Sequence, residues 1–314
     1  MTPTVRHALL LLPLMLSLGW LCVDAPGPFW REAYFVALIW ALTLATRTLT
    51  WKAVVSALSL GIGVAAPLMV FVGWLMRQAG LDVSESEIGS WAVVPVLEEL
   101  IKLLPVWLVA ALHHRRTGLT LNPSDWLVVG CAAGAGFAMV ENAQLVLHNP
   151  GVVGDMANQY GPSWLVPGAW GDVGFVGHAA ATGMVAAGVG LSRACARVAS
   201  VRRTALTWSR VVVWAPLGWV VIEHMLANLR VNTGSTLALA LGNGRLTPWL
   251  FLALGGVVVG NDLWWAWRTW TQSRRLRRRW AVRPPMRQLV ADVRVLNMTS
   301  WLTRERLAAE GTTR

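Results

Sequence analysis

Glu98, Glu99 and Lys102 stand in the middle of WAVVPVLEELIKLLPVWLVAAL, residues 91–112, an otherwise apolar stretch about as long as a bilayer-spanning helix. A carboxylate or ammonium at mid-bilayer costs roughly 2.5–3.5 kcal/mol, so three in one span need a reason. On a helix Glu99 lies about 100° round from Glu98, and Lys102 falls between them one turn along. The three heads can line one polar notch while the Leu, Val and Trp side chains face lipid or other helices. Two neighbouring carboxylates in low dielectric cannot both ionise cheaply, which suits a general base that takes a proton and returns it.

Further along stand Glu141-Asn142, His178, and His224 with Asn228 one turn beyond it. Peptide hydrolysis needs an activated water, stabilisation of a tetrahedral oxyanion and a proton for the leaving amine. The residue types suffice for all three. Glu98 or Glu99 serves as the base, and Lys102 offsets the charge of the other. His224 and Asn228, on one helix face, donate to the oxyanion. Glu141 and His178 orient the water or tune the base, with Asn142 in support.

A metal version competes with this one. His178, His224 and the carboxylates Glu99 and Glu141 could form the mixed set of a catalytic Zn²⁺ with an open position for water. No HExxH helix is present and the ligands are spread over several helices, so the metal-free version is preferred and Zn²⁺ stays the alternative cofactor.

The elements that must position these groups are transmembrane. Of 314 residues, 55% are hydrophobic, and the mean hydropathy is +0.50. Long Leu- and Ala-rich runs, without the short alternating segments of an outer-membrane barrel, predict an all-α polytopic bundle of about eight spans. The spans are expected at His7–Val23, Ala33–Thr46, Val54–Met76, Trp91–Leu112, Trp126–His148, Trp170–Leu191, Trp208–Leu229 and Thr247–Trp267. A Pro/Gly turn, Asp24–Phe29, joins the first two. The first run is read as a retained helix, its apolar stretch being long for a secretory signal. Residues 1–267 form the helical domain, with its core at 91–229, and residues 268–314 a basic tail. Cys22, Cys131 and Cys195 have neither disulfide nor metal-site spacing.

The net charge of +11 is concentrated. Arg47, Lys52, Arg115, Arg116, Arg193, Arg197, Arg202, Arg203 and the tail fall on one side of the spans, which places both termini in the cytoplasm. In that topology Glu98 lies ~10 Å below the outer face at about 1.5 Å per residue. Glu141, His178 and His224 fall at similar depths on three other helices. Scattered structural polar groups would have no reason to agree. The Gly- and Ala-rich stretches Gly130–Ala138 and Gly177–Gly190 predict that the Glu141 and His178 helices pack closely.

Taken in order, Glu98-Glu99-x-x-Lys102, Gly136-Phe137-Ala138-x-x-Glu141-Asn142, His178 in an Ala/Gly-rich helix and His224-x-x-x-Asn228 resemble the PrsW-type membrane proteases. That family is similar to the type II CAAX prenyl endopeptidases. The resemblance covers about Trp91–Leu229. It implies the same assignment of roles, a bacterial plasma-membrane location, and single-span membrane-anchored substrates such as an anti-sigma factor. Ala143-Gln144-Leu145 departs from the family, which often has an aromatic residue there.

Two other functions are weighed. In a proton- or ion-coupled transporter the buried Glu and His residues would be relays, but the paired broken helices of such folds are missing. A catalytically silent scaffold would have no use for an intact polar set. His113-His114-Arg115-Arg116 reads as a cytoplasmic anchor. The run Arg274–Arg279 reads as a binder of anionic lipid, with no nucleic acid expected.

Overall fold

The computed structural model describes residues 3–23, 26–80, 88–118, 120–148, 175–199, 203–237 and 244–280. Among these the chain is helical almost throughout and forms no strand. The helices are α1 (Pro3–Val23), α2 (Pro26–Leu42), α3 (Trp51–Leu60), α4 (Ala66–Gln78), α5 (Val94–Thr117), α6 (Pro123–His148), α7 (His178–Ala199), α8 (Arg203–Thr233) and α9 (Thr247–Trp280). A π-helical turn, Gly61–Ala65, joins α3 to α4 without a break, and another, Gly89–Val93, leads into α5. Five stretches among the described residues are long and apolar enough to cross a membrane: 51–78, 123–145, 178–196, 209–230 and 247–268. Helices α1, α2 and α5 occupy the other three positions expected from the sequence.

Several boundaries move, for local reasons. Helix α2 starts at Pro26, where proline is tolerated because first-turn N–H groups have no intrahelical partner. The expected turn therefore gives way to helix from Pro26 onward, and residues 24–25 lie outside the described set. Helix α2 ends at Leu42, four residues early. Beyond it the Thr43 hydroxyl donates to the Ile39 carbonyl at 2.8 Å and the chain turns. The helix expected from Trp170 begins only at His178, preceded by Gly177 with φ +89°. Helix α9 runs through the arginine cluster to Trp280, well past Trp267. The rest of the basic tail, residues 281–314, lies outside the described residues.

Helix α6 is the axis of the bundle. From Leu127 to Met139 every side chain or glycine on it is buried, which for a bilayer-crossing helix means protein on all sides. Its most extensive contact is with α7, and α2, α3, α5 and α9 surround the rest. Small residues make these approaches possible. A Cβ at Gly134 would collide with the His178 carbonyl, and one at Gly130 would sit 2.5 Å from the Ala186 Cβ. Gly61 and Gly136 bring α3 and α6 together in the same way, each facing the other helix's backbone. Helix α1 joins through Pro13, which packs on Gly63 while the next amide, Leu14, donates to the Ser59 hydroxyl at 3.1 Å.

One end of the bundle is closed by a polar knot. Asp125, in the first turn of α6, accepts the N–H groups of Thr48 (2.6 Å), Leu49 (3.0 Å) and Asn122 (3.1 Å) together with the Thr48 hydroxyl. The Thr46 and Ser124 hydroxyls meet at 2.7 Å, and the Ser124 N–H donates to Asp262 of α9 at 2.8 Å. In the same loop, Arg47 lies over Trp40. Burial pulls its guanidinium down to about 10 against the opposing influence of Asp125, which leaves it a cation at neutral pH.

Candidate active site

Glu98, Glu99 and Lys102 come from one face of α5, as the helical spacing requires, and all three are buried. The Lys102 ammonium donates to Glu99 Oε1 at 2.7 Å, lies 3.8 Å from Glu98 Oε2, and contacts His178 Nδ1. His178 opens α7, and its Nε2 meets Glu141 Oε2 of α6 at 2.5 Å. His224 on α8 places Nδ1 3.1 Å from Glu99 Oε1 and Nε2 3.7 Å from Glu98 Oε2. Residues from four helices thus form one connected cluster. None of Glu98, Glu99, Lys102, His178 and His224 is more than 7% exposed, whereas the Glu141 side chain is 31% exposed.

Aromatic rings fix the imidazoles. Phe175 stacks on His224 (centroids 4.5 Å apart, 20° between planes) and meets His178 edge-on at 5.1 Å. Phe137 packs on the other side of His178, also at 5.1 Å, and lies 4.8 Å beneath the Lys102 ammonium. The two imidazole centroids are 5.1 Å apart. With both rings held by packing, the free choice left to each is its tautomer.

Hydrogen bonding assigns those tautomers. Lys102 can only donate, so His178 Nδ1 accepts and Nε2–H donates to Glu141. Glu99 can only accept when ionised, so His224 Nδ1–H donates to it and Nε2 keeps its lone pair. That lone pair faces Glu98 Oε2, itself buried and without a hydrogen-bond donor. Two acceptors facing one another need a proton or a cation between them. Ligand atoms of Glu98, His178 and His224 all lie within 4.8 Å of one another. Two imidazoles and one carboxylate are a donor set of catalytic zinc, and two ligands of one tetrahedral ion lie roughly 3.4 Å apart. The residues present therefore fit a divalent ion. The trio differs from the set expected from sequence: Glu98 joins the two histidines, while Glu99 and Glu141 stand behind them as hydrogen-bond partners. His178 would have to release Lys102 or Glu141 to ligate.

Residues 49–259 match the family described as PrsW family intramembrane metalloprotease. The chain belongs to that family. No curated protein and no solved structure matches it. The PrsW match spans the whole cluster, from α3 into α9, and identifies the chain as a membrane protease.

Two residues expected at the site make no hydrogen bond to the cluster among the described residues. Asn228 gives its amide to the Ser90 carbonyl at 3.3 Å, bracing the π turn ahead of α5, and Asn232 bonds the Ser90 hydroxyl at 3.0 Å. Asn142 is half-buried next to Glu141 and makes no hydrogen bond to the cluster among the described residues. Glu223 is buried but turns toward Thr247 of α9.

Two others are missed by sequence reasoning. Phe175 precedes its helix, and no spacing singles it out. Glu32 on α2 is 1% exposed, its Oε2 has no hydrogen-bond partner, and it is close enough to interact electrostatically with His178 and Glu141. The signal was depth. A helix begun at Pro26 puts Glu32 ~9 Å along α2 from its start, whereas a span begun at Ala33 leaves it outside.

Proposed function

We propose that this protein is an endopeptidase of the membrane interior that cuts membrane-anchored proteins, and that Glu98, His178 and His224 hold a divalent metal ion. The observation that carries the reading is the orphaned Glu98 Oε2 facing the His224 Nε2 lone pair at 3.7 Å. A bound ion of this kind supplies a water acidic enough to ionise near neutral pH and polarises the scissile carbonyl.

The chain's own residues supply the rest. Glu99 accepts His224 Nδ1–H, which fixes the ring with Nε2 turned to the site, the carboxylate–imidazole arrangement that raises ligand basicity. Lys102 holds Glu99 in place and balances part of the cluster's negative charge. Glu141 is the carboxylate open enough to meet water. It takes the proton that the attacking water loses and returns it to the leaving amine. Phe137 and Phe175 keep bulk water off the imidazoles. A depth of ~10 Å below the outer face suits single-span substrates, an anti-sigma factor among them.

A second reading has its own support. The Lys102 amino group touches both Glu99 and His178, so a basic side chain already lies within the cluster. In that metal-free version Glu98 is the base.

One experiment separates the two. The full-length protein in lipid nanodiscs is given a single-span reporter, with and without a chelator, and then with Zn²⁺ restored. The metal reading expects cleavage to stop with the chelator and return with zinc, and Glu98→Gln to lose bound metal. Cleavage that persists in chelator but stops in Glu98→Gln selects the metal-free version. Failure of wild type to cleave any single-span reporter, with or without zinc, would sink both.

A further inference from the structure

A second polar site lies at the opposite end of α5. A cavity of about 290 Å³ opens between the last turns of α5, the first turns of α3 and the loop Thr48–Thr50. Its rim carries the Lys52 ammonium, the Arg116 guanidinium and the His113 imidazole, together with several hydroxyl groups. No acidic side chain lines it among the described residues. Thr50, the residue ahead of α3, makes no side-chain capping bond, and with Lys52 and Ala53 it lines the cavity at the positive end of α3. Deeper in, Val109 and Leu112 make the wall apolar. The cavity is preformed, because its loop rim is tied to Asp125 by the three hydrogen bonds from Thr48 and Leu49. Burial lowers the His113 pKa, which favours the uncharged ring, beside the basic side chains of Lys52 and Arg116.

We propose that this cavity binds the phosphate of an anionic phospholipid, such as a phosphatidylglycerol, with its acyl chain leaving along Val109 and Leu112. Two cations, an imidazole and a helix N-terminus are partners for a phosphate oxygen set. A cationic rim above an apolar wall is the profile of a lipid rather than a free ion. The positive-inside count puts this end of the bundle at the cytoplasmic leaflet, where anionic headgroups are concentrated. The occupant would bridge α3, which is packed on α6 through Gly61, to α5, which carries Glu98, Glu99 and Lys102. The site is separate from the arginine cluster of α9 and does not depend on the proteolytic reading.

The test uses the full-length protein in nanodiscs of phosphatidylcholine alone or with phosphatidylglycerol. Wild type is expected to unfold several degrees higher in the anionic discs, and to retain one phosphatidylglycerol in native mass spectrometry. Lys52→Gln with Arg116→Gln should lose most of that increment, measured against its own midpoint in phosphatidylcholine, and the retained lipid. Arg210→Gln with Arg268→Gln, which removes the same charge elsewhere, should keep both. An equal loss in that control pair would make the effect general charge attraction and overturn the proposal. Inorganic phosphate reproducing the increment in phosphatidylcholine discs would assign the cavity to a soluble anion instead. The same increment in the Lys52/Arg116 variant as in wild type would also overturn it.

Discussion

Glu98 and Glu99 are chain neighbours with different partners, and exchanging each for glutamine should produce different losses. Glu99 holds Lys102 and His224 through a single oxygen. A glutamine there keeps the shape but weakens the carboxylate support behind His224, a change that typically costs about 10–100-fold in metal affinity or rate. Glu98 faces His224 Nε2 with nothing between. Its replacement should abolish metal binding, so cleavage falls to background while the Glu99 variant keeps a measurable residue. Metal content and initial rate on the same preparations check the contrast. Glu32 makes a second prediction. A buried acid with an unpartnered oxygen is costly, and replacing it with leucine should stabilise the fold by about 1–3 kcal/mol. If its charge serves His178 and Glu141, cleavage should fall as the unfolding midpoint rises. A raised midpoint with an unchanged rate would make Glu32 a bystander. The Glu-Glu-x-x-Lys spacing and the histidines were legible because charge in an apolar run is conspicuous. The partition of duties between Glu98 and Glu99 was not, since it depends on which oxygen each imidazole meets across helices.

At the scale of elements, the contact between α6 and α7 does most to place the site, because it joins Glu141 to His178. It rests in particular on Gly134, whose missing Cβ would strike the His178 carbonyl rather than a movable side chain. Gly134→Val should therefore force α7 away at His178 itself, at a cost of roughly 1–3 kcal/mol from overpacking. Cleavage should drop far more than the amount of folded protein does, as read from rate per folded molecule. The density of Gly and Ala in these two helices shows in the sequence, and so does their mutual closeness. What escaped sequence reading is the start of α7 at His178 instead of eight residues earlier. Apolar periodicity continues through 170–177, and only the positive φ of Gly177 marks the break. The π turn before α5 was equally hidden, since its hydrogen-bond pattern has no composition of its own. Asn228 and Asn232 hold that turn at Ser90, which gives them a part in aiming α5.

For the molecule as a whole, the reading of substrate class depends on which face of the membrane the cluster lies beneath. The basic loops carry that information in the sequence: Arg47, Lys52, Arg115 and Arg116 gather at the end closed by the Asp125 knot, and the cluster sits toward the other. With the first of these ends in the cytoplasm, the site opens to the outer leaflet and prenylated cytosolic tails are the wrong substrates. The exposed residues Thr117 and Gln78 mark the two ends. In a background where Cys22, Cys131 and Cys195 are alanine, Thr117→Cys should react with a membrane-impermeant maleimide only after the cells are opened. Gln78→Cys should react in intact cells. The reverse pattern would turn the cluster toward the cytoplasm, and the substrates to seek would then be proteins anchored on that side.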